Sequence, residues 1–193
     1  MGHTWKEDRA KKRIQARFEE VREVEIIDYK REMSLQDIPT RKAYRMDAAQ
    51  LYVDIVNVDE ILACTVVEGE TCHKRTLRFF NQHYRAVHRI LQKTDAIRVD
   101  FHNQRLHAVV PKPYGEDNER ARVTRSVAIA QLISDVLAET GEGDEQIPNA
   151  KVRVGIDTGR ALAVNNGRKG GREPLFLGRP ANHAAKCAGA GTT

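Results

Sequence analysis

One stretch constrains this chain more than any other: Ala49-Gln50-Leu51-Tyr52-Val53-Asp54-Ile55-Val56-Asn57-Val58-Asp59-Glu60. An apolar run of strand character ends on a carboxylate, then passes through a turn into a short helix expected to begin near Asp59. Backbone N–H groups gather where a helix begins, and a carboxylate beside them makes a seat for a metal ion carrying a polyphosphate. The plainer reading of the same residues is a buried strand whose Asp54 caps the following turn.

A second stretch favours the metal reading. Gly178-Arg179-Pro180-Ala181-Asn182-His183-Ala184-Ala185-Lys186 follows an expected Gly-Ile-Asp-Thr-Gly turn at Gly155 to Gly159 and reads as a helix from Pro180. There Asn182 and Lys186 stand one turn apart on one face. Together the two stretches resemble the class III nucleotide cyclase domain. In that family an aromatic-x-Asp-Ile strand carries the first metal carboxylate, and a helix opening Gly-x-x-x-Asn-x-Ala-Ala-Arg supplies the transition-state groups. Here the matching residues are Tyr52, Asp54-Ile55 and Asn182-His183-Ala184-Ala185, with Lys186 in place of the arginine. The closer similarity is to the pyrimidine cyclases of the bacterial Pycsar anti-phage system, and it runs from about Ala48 to Gly189.

The chain has 193 residues, 40% hydrophobic and 31% charged, which suits one globular core. No apolar run approaches the roughly 20 residues of a membrane span. Met1 to Arg13 is charged, unlike a signal peptide, so a cytoplasmic location is expected. Cys64, Cys72 and Cys187 lack metal-type spacing and are expected to be reduced and structural. The formal charge of +5 is spread along the chain with no nucleic-acid motif, so neither nucleic acid nor membrane is an expected partner.

The expected organisation is an N-terminal helix and connector over 1–46 and a catalytic domain over 47–193. Ala10, Ile14, Phe18 and Val21 place a helix over Asp8 to Val24, read as a packing helix or a dimer contact. After a turn at Glu68-Gly69-Glu70, a helix from about His73 to Lys93 should bury Leu77, Phe80, Tyr84, Val87 and Leu91, with His73, His83 and His88 at its surface or boundary. Ala96 to Phe101 and Leu106 to Val110 read as a hairpin across His102-Asn103-Gln104. A helix from about Asp117 to Glu139 follows, with Val123, Val127, Ala130, Ile133 and Leu137 on one face and Gly141 and Gly143 closing it. Strands over Lys151 to Ile156 and Arg160 to Val164, a link over Gly167 to Gly171, and Pro174 to Leu177 lead to the last helix. The fold class is α+β: a ferredoxin-like, mostly antiparallel sheet with helices on one face. The family continues through further strands after the Asn helix, whereas this chain ends soon after Lys186, so a domain short of its last strands is one reading.

The resemblance implies cyclisation of a nucleoside triphosphate, in which the ribose 3′-hydroxyl attacks the α-phosphorus and pyrophosphate leaves. It implies two Mn²⁺ or Mg²⁺ ions on Asp54, the Ile55 carbonyl and a second carboxylate. Asp100 is the expected second carboxylate, 46 residues after Asp54 and on a strand expected beside it. Aligning Leu106 to Val110 instead puts Gln104, a poor metal ligand, at that position. Amides of Val56, Asn57 and Val58 would cradle phosphate, Asn182 would hold the ribose, and Lys186 would meet charge on the α-phosphate. Metal carboxylates on one subunit and the Asn helix on the other imply a homodimer with composite sites.

Base choice departs from the purine cyclases. Leu175 and Ala96 occupy the positions where those enzymes read the base with polar groups, which argues against adenine. Tyr52 and Arg98, each two residues before an expected metal Asp, are the candidate base contacts. Arg98 offers donors only, which suit the C4 carbonyl of uracil and oppose the C4 amine of cytosine, so UTP is expected over CTP. The product would be a signal in anti-phage defence sensed by a separate effector. The rival readings are a cytidylate cyclase, an inactive cyclase-like nucleotide-binding module, and an unrelated ferredoxin-like interaction domain.

Overall fold

A computed structural model of the chain describes residues 6–20, 22–63, 70–102, 104–139, 148–166 and 173–190. The expected turn at 68–69, the glycines at 141 and 143, the link over 167–171, Asn103 and Cys64 lie outside the described residues.

The centre of the sheet is β2 (Lys42–Ile55), and its side-chain pattern shows where each face is covered. Successive strand residues point to opposite faces. Ala49, Leu51, Val53 and Ile55 stay apolar along one face, where they pack with helix residues. On the other face Tyr44, Met46 and Ala48 are apolar and packed against Leu35 and Ile38, then give way to Gln50, Tyr52 and Asp54. That change from apolar to polar marks where the second face becomes a site. β2 runs through the expected 46/47 boundary, and β1 (Glu25–Asp28) pairs parallel with its start, Glu25 opposite Lys42 through Asp28 opposite Arg45.

Among the described residues the sheet is six-stranded, in the order β3-β4-β2-β5-β6 with β1 alongside β2. β3 (Ile97–His102) and β4 (Arg105–Val110) form the expected hairpin. β5 is one continuous strand, Val152–Asn166, rather than two strands around a turn, and β6 (Glu173–Leu177) returns along its end. Gly155 and Gly159 are therefore strand residues paired with Tyr52 and Ala48. Each glycine has a steric reason. A Cβ on Gly155 would lie 1.9 Å from the Ala184 carbonyl oxygen, and Gly159 has φ 146°, a conformation that favours glycine.

α3 (Glu70–Lys93) and α4 (Glu119–Ala138) cover the apolar face of the sheet, while the short α2 (Val58–Ala63) follows β2. Phe79, Val87, Ile90 and Leu91 of α3 meet Ile129, Ile133 and Leu137 of α4 over Leu51 and Leu106. Each large side chain in that cluster contributes about 1.5–3 kcal/mol by leaving water. The buried stripe of α3 is rotated from the expected one: Leu77 is 70% exposed, whereas His83 is fully buried. His83 is thus not a surface residue. Its Nδ1 lies 2.9 Å from the Phe79 carbonyl oxygen, and burial lowers its pKa. α5 (Arg179–Gly189) packs over Gly155 on the opposite face, so helices cover both faces, not one. α1 (Glu7–Glu20) buries none of its residues, contrary to the packing-helix expectation. Cys187 is exposed rather than structural.

Candidate active site

The polar end of β2 faces the side of the sheet that carries α5. Asp54 sits one residue before the strand's end and is only 8% exposed. Antiparallel partners share a face, so β4 presents Arg105 beside Asp54 and His107 beside Tyr52. The Arg105 guanidinium grips both carboxylate oxygens, Nε to Oδ1 at 2.7 Å and Nη2 to Oδ2 at 2.5 Å. This fork is the strongest form of carboxylate pairing, and it raises the pKa of Arg105. One row further in, the Tyr52 and His107 rings stack with centroids 4.2 Å apart and planes at 11°. His107 Nε2 donates to Gln50 Oε1 at 2.8 Å, while Gln50 Nε2 is buried with no partner among the described residues. Burial pushes the His107 pKa down to about 4, with Asp100 opposing the shift, so the ring is neutral at pH 7. Burial likewise raises the Tyr52 hydroxyl pKa.

Asp100 and Asp54 share a face but not a strand pair. The second strand of the hairpin, β4, lies against β2, and β3 stands one strand farther out. Asp100 is opposite His107, whereas Asp54 is opposite Arg105. With strands about 4.8 Å apart and a rise of about 3.4 Å per residue, this sets their Cα atoms roughly 12 Å apart. Asp100 therefore lies not on the strand beside Asp54, as expected, but one strand beyond it. The residue that meets the end of β2 is Gln104, whose carbonyl accepts from Ile55 N at 2.9 Å.

Arg98 is also displaced. A bulge between Arg98 and Asp100 pairs Arg98 with Ala108 and Asp100 with His107, successive residues that face opposite ways. Arg98 therefore does not share the face of Tyr52 and Asp100, and lines an outer groove with His88 and Gln92. The Val56 amide is already committed to the Lys151 carbonyl at 2.8 Å. The Asn57 side chain donates to the Asn149 carbonyl and accepts from Lys151 N, tying the turn to the start of β5. Val58 begins α2 and is half-buried. Asn182 and Lys186 are exposed on the outward side of α5, away from buried Ala181, Ala184 and Ala188.

Arg105, His107 and Gln50 are the residues that sequence reading missed. The alternation Arg105-Leu106-His107 was visible as one polar strand face, but its opposition to Asp54 and Tyr52 depends on register. Among the described residues no cluster of three His, Cys, Asp or Glu side chains could hold a metal. Asp54 nevertheless fits a divalent ion: its nearly buried carboxylate already holds a cation, and Mg²⁺-like ions take one or two carboxylates with substrate phosphates completing the shell. No described helix is long and apolar enough to cross a membrane.

The fold is that of the class III cyclase-like proteins. A solved class III adenylyl cyclase-like ATP-binding protein from Pseudomonas aeruginosa superimposes with a TM-score of 0.86 at 62% identity, over 98% of this chain and 40% of that one. The adenylyl cyclase CyaB from P. aeruginosa shares the fold at 17% identity, with a TM-score of 0.62 over 76% of this chain and 73% of its own. Within that class, a P. aeruginosa protein named uridylate cyclase is 63% identical over 97% of this chain. A Rhizobium protein of the same name is 38% identical over 82% of the chain. The chain spans 37% and 31% of the lengths of those two relatives. No protein-family model matches the sequence.

Proposed function

We propose that this chain is the catalytic domain of a uridylate cyclase, converting UTP to 3′,5′-cyclic UMP and pyrophosphate. The observation that carries this reading is Asp54, a nearly buried carboxylate held on a cation beside a stacked aromatic pair. The 63% identity to a protein named uridylate cyclase supports the choice of base.

Asp54 and the Ile55 carbonyl would anchor a Mn²⁺ or Mg²⁺ ion, with Asp100 as an outer acidic group of the same face, and a second ion is proposed on the same carboxylates. Divalent charge there would lower the pKa of the ribose 3′-hydroxyl and neutralise the triphosphate. Tyr52, fixed by His107, offers its ring to the nucleotide. Asn182 would orient the ribose, and Lys186 would meet charge growing on the α-phosphate as a mobile point charge rather than a planar fork. The exposure of Asn182 and Lys186 on α5 supports their reaching the site of a second copy in a homodimer. Of the phosphate cradle, the Asn57 and Val58 backbone remains proposed. The Val56 amide is spoken for, and Arg98 no longer supports the preference for UTP. A cytoplasmic role in anti-phage signalling through a separate effector follows from the resemblance to the pyrimidine cyclases.

A second reading comes from the ATP-binding neighbour, whose name favours a purine nucleotide. The test is to mix the purified protein with each of the four triphosphates and Mn²⁺ and identify the cyclic product by mass spectrometry. Cyclic UMP should dominate, and Asp54→Asn should lower its formation by at least roughly a hundredfold. Mixing Asp54→Asn with Asn182→Ala should restore activity if the sites are composite. Preference for ATP, or equal turnover of all four, would overturn the uridylate reading.

A further inference from the structure

We propose that Arg105 is a built-in counter-ion that occupies Asp54 until a divalent cation takes its place, so that this residue sets how tightly the site holds metal. The inference rests on the reading of Asp54 as the metal seat. Both carboxylate oxygens are engaged by the guanidinium, so an arriving ion must compete for each of them. A divalent ion bound there would stand within a few ångströms of a fixed positive charge, and the two cannot share the carboxylate without strong repulsion. The burial of the pair is lopsided: the Asp54 side chain is 11% exposed and that of Arg105 is 47% exposed. Asp54 therefore needs a cation at all times, because an unpaired carboxylate at that depth is costly. The Arg105 side chain is half-exposed, so its guanidinium has a route into solvent. One partner is nearly buried and the other half-exposed; that asymmetry suits an exchangeable occupant better than a structural tie.

The exchange also reaches the helix that bears Asn182 and Lys186. A Cβ on Gly189 would lie 3.2 Å from Arg105 Nη2, so the last turn of α5 rests beside the guanidinium in its paired position. Departure of Arg105 changes what α5 packs against at its C-terminal end.

A purely structural ion pair predicts something different. Its loss would lower stability and leave metal affinity unchanged. The deciding measurement is Mn²⁺ binding without nucleotide, read from the free-ion signal in electron paramagnetic resonance, for wild type, Arg105→Gln, Arg105→Lys and Asp54→Asn, with thermal unfolding to confirm that each variant is folded. Arg105→Gln should bind Mn²⁺ about tenfold more tightly than wild type, because a neutral amide leaves the carboxylate charge uncompensated. Arg105→Lys should stay within about threefold of wild type, because the competing charge remains. Asp54→Asn should lose the site. If wild type binds Mn²⁺ through Asp54 and Arg105→Gln binds no tighter, the counter-ion proposal fails alone. If Asp54→Asn binds as wild type does, or neither wild type nor Arg105→Gln binds at millimolar Mn²⁺, the metal seat fails and the proposal with it.

Discussion

Acidification should destabilise this domain through His107. The ring is 6% exposed, and burial holds its folded pKa at about 4, while Asp100 pulls the other way. In the unfolded chain the same group titrates near 6.5. Between those values the unfolded state takes up a proton that the folded state refuses. Stability present above pH 6.5 is therefore lost as pH falls toward 4. Linkage gives a loss of about 2 kcal/mol by pH 5 and about 3 kcal/mol by pH 4, relative to pH 7. His83 is also buried with a lowered pKa and adds a slope of the same sign, so wild type alone cannot isolate the effect. His107→Gln keeps a donor for Gln50 Oε1 and cannot titrate. Urea denaturation of both proteins at pH 7, 6 and 5 should show wild type losing about 2 kcal/mol more than the variant across that span. Parallel losses would refute the reasoning, because they would mean that His107 reaches solvent or finds an acceptor for its proton in the folded state.

Two further outcomes follow from the packing. Gly155→Ala should cost about 3 kcal/mol or more in urea denaturation, since its Cβ would meet backbone atoms at Ala184 and Ala188 and only a shift of α5 could relieve the clash. Arg98→Ala should leave the ratio of UTP to CTP turnover within about twofold, because the bulge turns Arg98 away from Tyr52. A changed ratio in a competition assay would return Arg98 to the site.

The elements of this protein were legible to different depths. The hairpin of β3 and β4, α4 and α5 lie close to where periodicity and turn residues put them. The long β5 was misread as two strands because Gly-Ile-Asp-Thr-Gly looks like a turn. In the folded chain those glycines answer to α5 and to a φ of 146°, causes that lie outside the strand's own sequence. The stripe on α3 was misread because Phe79, His83, Val87 and Ile90 satisfy helical spacing as well as Leu77, Phe80 and Tyr84 do, and the docking angle on the sheet chose between them.

The candidate site divides in the same way. Local order along the chain was enough to single out Asp54 at the end of a buried strand, and Asn182 with Lys186 on one helix face, because strand alternation and helical pitch are properties of a segment by itself. Which residue stands across from Asp54 is set by hydrogen-bond register between segments 51 residues apart, and register is a tertiary quantity. That is why the sequence pointed to Asp100 as the neighbour of the first carboxylate, while the folded sheet put Arg105 there and left Asp100 one strand farther out.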